Sequence, residues 1–396
     1  MSAASPRRLK RFVDKQLGRS PRWLEGDGRE RPAIPARALL GALLLGHLLR
    51  DFSYNAVEAL ARSRGRRALG IGRGFGDDTL AYFSARFEAT ALRQTAVDIL
   101  KSAKRNKAFQ KNVWIGLALD GTGAGHTQKP GCDLCHSFKN AAGEVSRHGH
   151  KLALISVVGC GLTLPFDVEP YGPGDSEYAA SQRLLERARK ALGPRFADYA
   201  VGDGAYATAP FLHAAGDLGL QVVARLKGNL PDLQAAVAAR FDGQPPTQTF
   251  AHGRDRIEVW DAADFDPWES LRWKTVRVLR YRQHKPDGSV VTAEWLTDFS
   301  PEQASSQALF RMAKSRWEIE NYGFNDAKNR HGLEHIPHHH PNSLLLHWLL
   351  ILLSLTLERL FRLRYLHRGS HPVLSPIQLF RLLRSQLAVP VTCNSS

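Results

Sequence analysis

Asp120, Asp203 and Glu320 are the side chains whose types and settings suit a hard divalent cation. Each aspartate closes a short apolar run, VWIGLAL and YAVG, and each is followed by glycine. Such runs predict strands. Adjacent parallel strands would bring the two ends together, and the glycines would leave room for a phosphodiester backbone to approach. Glu320 shares a stripe with Phe310, Ala313, Trp317 and Phe324, which predicts a helix packed across the sheet and a third carboxylate beside the first two. Oxygen donors on rigid elements suit Mg²⁺. Two such ions about 4 Å apart activate an attacking oxygen and stabilise a leaving oxygen on opposite sides of one phosphorus. The chemistry is phosphodiester cleavage or strand transfer. Each aspartate alone also reads as a turn cap, so the reading rests on the ordered set of three. Glu318 is a rival for the third place.

A second cluster has softer donors. Cys132 and Cys135 are followed by His148 and His150, a set with the elements of a structural zinc site. On a strand the two histidines would point to the same side. The histidine spacing is too short for a DNA-reading zinc finger, and two free surface cysteines with two solvent histidines is the plain alternative. His331, His335 and His338 to His340 contain no HExxH pattern, so a zinc hydrolase is not indicated, and they are expected to cap helices or touch phosphates. Trp260, Trp268, Trp273 and Trp295 are expected in core packing rather than stacked on unpaired bases.

The elements that must hold these residues follow from periodicity. Residues 1–108 read as helical, with apolar spacings of three and four. The period then changes: three strand-like runs, a helix, the strand before Asp203, a helix and a further strand (LQVVARL) predict an α/β fold, a mixed sheet flanked by helices. Residues 229–300 add strand-like runs around a Pro286–Ser289 turn and read as an inserted β-rich subdomain. Helical sequence resumes at 301. The expected divisions are 1–108, 109–228, 229–300, 301–366 and a basic tail at 367–396. Leu344–Leu357 is apolar but shorter than a membrane span and predicts a buried core helix, so no membrane association is expected.

Charge indicates the partner. The formal net charge is +16 with 43% hydrophobic residues, which suits a folded protein with a polyanionic partner, nucleic acid first. Residues 1–24 carry seven basic side chains against Asp14 alone, and six arginines but no acid lie from Arg359 onward. Both ends read as arms that track phosphates. Four cysteines are too few for a disulfide scaffold, and no apolar stretch follows the basic start, so a cytoplasmic, nucleoid-associated protein without a signal peptide is expected.

Four patches resemble the insertion-sequence transposases with an RNase H-like DDE core: LALDGTG (117–123), VGDGAY (201–206), VVARLKGN (222–229) and SRWEIENYGFNDAKN (315–329). The resemblance spans roughly residues 110–365 and includes the β-rich insertion before the glutamate helix. It implies Asp120, Asp203 and Glu320 as catalytic ligands of two Mg²⁺ or Mn²⁺ ions. It implies Arg316 and Lys328 on DNA phosphates, and a homodimer acting on an element's terminal inverted repeats and target DNA. The chain departs from the familiar pattern at Ala313, where a tyrosine often stands, and at Lys328, which follows the glutamate by eight positions instead of seven. A catalytically silent DNA-binding relative and a nuclease that cuts without joining are the other readings.

Overall fold

The computed structural model describes residues 5–111, 113–367 and 372–387. The chain opens with helices α1 (Pro6–Leu17), α2 (Ala36–Leu49), α3 (Tyr54–Arg62), α4 (Asp77–Arg86) and α5 (Thr90–Arg105). Ser5 caps α1 by accepting from the Arg8 amide at 3.2 Å, with Pro6 in the first turn. Leu9, Phe12, Val13 and Leu17 form its buried stripe, while Arg7, Arg8, Arg11 and Lys15 face outward. The basic N-terminal segment is therefore a docked helix with a basic outer face and not a free arm, because its apolar residues recur at helical spacing.

The sheet follows: β1 (Gly116–Thr127), β2 (His136–Lys139), β3 (Val145–Val158) and β4 (Leu164–Tyr171), then α6 (Glu177–Leu192), β5 (Tyr199–Gly202), α7 (Ala209–Asp217) and β6 (Gln221–Leu226). β4, β3 and β1 are antiparallel neighbours, and β5 and β6 continue from β1 in parallel. This is the RNase H-like mixed sheet that the resemblance implies. Helix α8 (Pro231–Phe241) leads to β7 (Gln248–His252), β8 (Asp255–Phe265), β9 (Val276–His284) and β10 (Val290–Thr297). β10 pairs antiparallel with β6, so the β-rich segment extends the central sheet into one of ten strands. Trp295 and Trp260 are buried there and Trp268 and Trp273 half-buried, which fits packing.

Helix α9 (Ser306–Glu318) runs over β1, β5 and β6, continues through one wide π turn (Ile319–Phe324) into α10 (Asn325–His331), and is followed by α11 (Pro341–Tyr365) and α12 (Pro376–Leu387). α11 is longer than its apolar run suggested, and it meets the length and composition of a membrane span. Yet 94% of its apolar window is buried inside the fold against α2, α4 and β4. The basic C-terminal stretch differs from expectation too. Arg359 pairs with Asp326 at 2.9 Å, Arg362 with Glu358 at 3.2 Å, and Arg384 with Asp51. These three arginines neutralise acids within the fold; they are not offered to phosphates.

Histidines join the N-terminal helices to α11. His47 and His347 lie 4.9 Å apart ring to ring, and His347 Nε2 donates to the Gly332 carbonyl at 3.0 Å. His331 is fully buried, with Nε2 3.6 Å from Glu358. It and His347 are core residues, whereas His340 caps α11 by accepting from the Asn342 amide at 3.2 Å. Burial pushes His347 down to about 3 from its ordinary 6.5. The folded state then refuses a proton that the unfolded chain accepts below about 6.5, so stability falls as pH drops from there toward 3. Denaturant titrations at pH 7 and about pH 4.5 are expected to show a loss of which His347 accounts for about 2–3 kcal/mol. His347→Gln is expected to shrink the difference by that amount. An unchanged difference removes His347 from the acid response.

Candidate active site

β1 and β5 place the two aspartates side by side. Gly116 pairs with Tyr199, Leu117 with Ala200 and Ala118 with Val201. The same offset carried on two residues sets Asp120 opposite Asp203, at the spacing of neighbouring strands, about 4.8 Å. One feature departs from the sequence expectation. β1 does not end at Asp120: its antiparallel ladder with β3 runs on to Thr127, because β3 outlasts the parallel contact with β5. Asp120 thus stands where β1 loses its parallel neighbour, with its Oδ1 accepting from the Gly121 amide at 2.9 Å.

Asp203 ends β5 and does cap the next turn, accepting from the Ala205 amide at 2.8 Å. Its other oxygen meets Lys227 Nζ at 3.4 Å. Asn229 braces that turn through the carbonyls of Gly204 and Ala207, at 3.0 and 3.2 Å. The Lys-Gly-Asn turn after β6 therefore serves the second aspartate directly.

Arg316 on α9 joins the third carboxylate to the first. Its guanidinium donates to Glu320 at 2.7 Å and to Asp120 at 3.4 Å, with its side chain only 11% exposed. Where the resemblance implies a phosphate contact, the structure has Arg316 on the carboxylates, since one helical turn before Glu320 also means facing the sheet. Glu318 points elsewhere, accepting from Thr163 Oγ1 at 2.8 Å and the Gly159 amide at 3.3 Å. Of the two glutamates, Glu320 is the one brought to Asp120.

Glu320 lies within the π turn, and such turns cluster at functional sites. A π turn takes one residue more than an α turn. Lys328, eight positions after Glu320, therefore keeps roughly the phase that seven positions give in an unbroken α-helix. Lys328 pairs with Glu334 at 3.2 Å and is 30% exposed.

A fourth carboxylate, Glu177, was not singled out from sequence. It begins α6, where an acid reads simply as a complement to the helix dipole. Its Oε1 accepts from the Tyr206 hydroxyl at 3.1 Å, and Tyr206 also bonds Ser181 at 2.8 Å. A side chain at Gly121 would collide with the Glu177 carboxylate, so that glycine makes room for Glu177 and not, as expected, for a backbone. Burial pushes the Asp120 carboxyl up to about 7, opposed by Arg316 and the Gly121 amide and reinforced by Glu177 and Asp203. Four carboxylates gather around two cations in direct contact, Arg316 and Lys227, with Arg225 acting on Asp203 from further off. Hard oxygen donors with surplus negative charge fit a hard divalent ion.

Cys132, Cys135 and His150 also converge, as the softer cluster suggested. His148 does not join them: its ring turns to Ser137 Oγ at 3.1 Å at the outer part of the β2–β3 hairpin.

The family model described as Transposase DDE domain matches residues 115–357. No curated protein matches the chain. A cryo-EM structure of a piggyBac transposase synaptic complex with hairpin DNA is similar at 11% identity, covering 97% of this chain and 80% of that one, with a TM-score of 0.48. That likeness is too distant to bear on the chemistry here.

Glu177 and Tyr206 should act as one unit under Gly121. Gly121→Ala is expected to displace the Glu177 carboxylate and cost about 1–2 kcal/mol in denaturant unfolding, with Tyr206→Phe costing a similar amount. The double variant should cost clearly less than the sum. Strict additivity would show that the glycine does not serve this contact.

Proposed function

The chain belongs to the DDE transposase family, and from that premise we propose that it cuts DNA strands at the ends of a mobile element and joins them to target DNA. The single observation that carries the reading is the convergence of Asp120, Glu320 and Arg316, with Asp203 in register beside Asp120. Asp120, Asp203 and Glu320 would hold two Mg²⁺ or Mn²⁺ ions. When bound, these ions supply activation of the attacking oxygen and charge stabilisation of the leaving oxygen. The chain's own part is placement. β1 and β5 fix the spacing of the two aspartates, and α9 with its π turn presents Glu320. Arg316 braces Asp120 and Glu320 together from α9. Glu177 adds negative potential next to Asp120 and is positioned by Tyr206.

Lys227, Lys328 and the outer face of α1 supply positive charge for the DNA backbone. A protein that joins two DNA ends must hold both, so a homodimer on terminal inverted repeats is part of the proposal.

Asp120→Asn, Asp203→Asn and Glu320→Gln are each expected to lower strand cleavage by about 10³-fold or more, the equivalent of several kcal/mol of transition-state stabilisation. Glu318→Gln should keep cleavage within a few-fold while losing some stability with its buried hydrogen bonds. Near-normal cleavage by any of the first three takes that residue out of the site. Cleavage without joining, on substrates that offer both, would overturn the strand-transfer half of the proposal.

Neutralising Arg7, Arg11 and Lys15 on α1 is expected to reduce the slope of log K against log salt by roughly 2–3 for DNA binding, while the buried stripe keeps the helix docked. An unchanged slope puts this face away from the DNA.

A further inference from the structure

We propose that Cys132, Cys135, His150 and His339 form a structural zinc site that ties the β1–β3 hairpin to the segment before α11. The proposal stands on its own geometry and does not depend on the cleavage reading.

The two sulfurs lie 3.8 Å apart, and His150 Nε2 lies 3.2 Å from Cys132 Sγ and 3.5 Å from Cys135 Sγ. A disulfide would need the sulfurs about 2.05 Å apart. A tetrahedron around zinc, with Zn–S about 2.3 Å and Zn–N about 2.0–2.1 Å, has edges of about 3.8 Å between sulfurs and about 3.5 Å from sulfur to nitrogen. The three side chains already occupy three corners of that figure. The Cys135 amide donates to the Cys132 carbonyl at 3.1 Å, closing the turn that brings both sulfurs to one side. His150 is fully buried and Cys135 nearly so.

Cys132, Cys135 and His150 form the close cluster; His339 stands just outside it and would supply the fourth ligand by turning its ring inward. Its ring fills the space where Gly131 lacks a side chain, next to Cys132. Its centroid is 6.4 Å from that of His150, and its Nδ1 is buried without a hydrogen-bond partner among the described residues. An imidazole nitrogen buried with nothing to bond is costly unless a ligand takes its lone pair. Two thiolates and two imidazoles select zinc over Mg²⁺, because they are soft donors. Four protein ligands leave no open position, so the site is structural and not catalytic. It lies apart from the carboxylates: His150 and the strand partner of Asp120, Leu154, are four residues apart on β3, roughly 13 Å. Its ligands come from chain positions 132 to 150 and from 339, so the ion would fasten the catalytic sheet to the entrance of its longest buried helix.

The test uses the full chain, purified without chelator and analysed for metal by plasma mass spectrometry. About one zinc per chain is expected, retained in excess Mg²⁺. Replacement by cobalt(II) should give the intense visible bands of a tetrahedral site with thiolate ligands. This readout needs no variant to fold. Cys132→Ser should release the metal. His339→Ala should weaken zinc binding by more than the roughly 10–100-fold that a supporting residue costs, and His148→Ala should leave it unchanged. Fresh protein that holds less than about 0.1 zinc per chain and takes up none on addition would overturn the site. Zinc bound as tightly by His339→Ala as by the parent would overturn the assignment of the fourth ligand.

Discussion

Negative charge held out of water at close range is the constraint on which the catalytic half of this molecule depends. Asp120 is mostly buried, with Asp203 beside it in register and Glu177 against it, and each neighbour makes ionisation harder. A fold that keeps such a cluster must neutralise it or leave it protonated. The metal-free chain does some of both. Arg316 spans Asp120 and Glu320 and Lys227 meets Asp203, yet burial, with smaller additions from Glu177 and Asp203, still holds the Asp120 carboxyl up at about 7. The arrangement is costly for an apoprotein and well suited to a doubly charged ion, which is the physical sense in which the site is prepared in advance.

Much of the surrounding structure serves that cluster. The parallel β1–β5 register sets the two aspartates abreast. Gly121 yields its side-chain volume to Glu177, which Tyr206 and Ser181 hold from beneath. Asn229 ties the turn of Asp203 to the end of β6. The π turn adds one residue to the α9–α10 helix, so that Glu320 can face the sheet without throwing Lys328 out of phase. α11 lies behind the first strands as a column buried over most of its length. Among its polar residues, Thr356 bonds the Pro165 carbonyl, Arg359 pairs with Asp326 and His347 bonds the Gly332 carbonyl.

Two donor clusters of opposite hardness thus sit on one hairpin. Carboxylates gather where β1 meets β5, and thiols with imidazoles gather nearer the tip. Softness would keep their ions apart, because thiolates prefer zinc and carboxylates prefer Mg²⁺. Basic surfaces show the same division of labour. Arg359 and Arg362 of α11 and Arg384 of α12 are used inside the fold, and the arginines of α1 remain on its outer face.

The sequence by itself determined the elements and the donors. Apolar spacings of three and four marked α2, α3 and the glutamate helix. Apolar runs ending at Gly-flanked aspartates marked β1 and β5, and the order Asp, Asp, Glu marked the donors that the proposed chemistry would use. These features are legible because helix and strand periods are local, fixed by a few neighbouring residues. Tertiary structure alone decided which side chains meet. It chose Glu320 over Glu318 by the way α9 lies on the sheet. It brought Glu177 against Gly121, within electrostatic reach of Asp120, from an unremarkable helix start, and it set His339 next to Gly131 while turning His148 away toward Ser137. It also folded the basic N-terminal segment into a docked helix and used three C-terminal arginines as internal counter-ions. Each of these depends on contacts between residues far apart in the chain. No local period records such contacts, because they arise only when sheet register and helix packing are both in place.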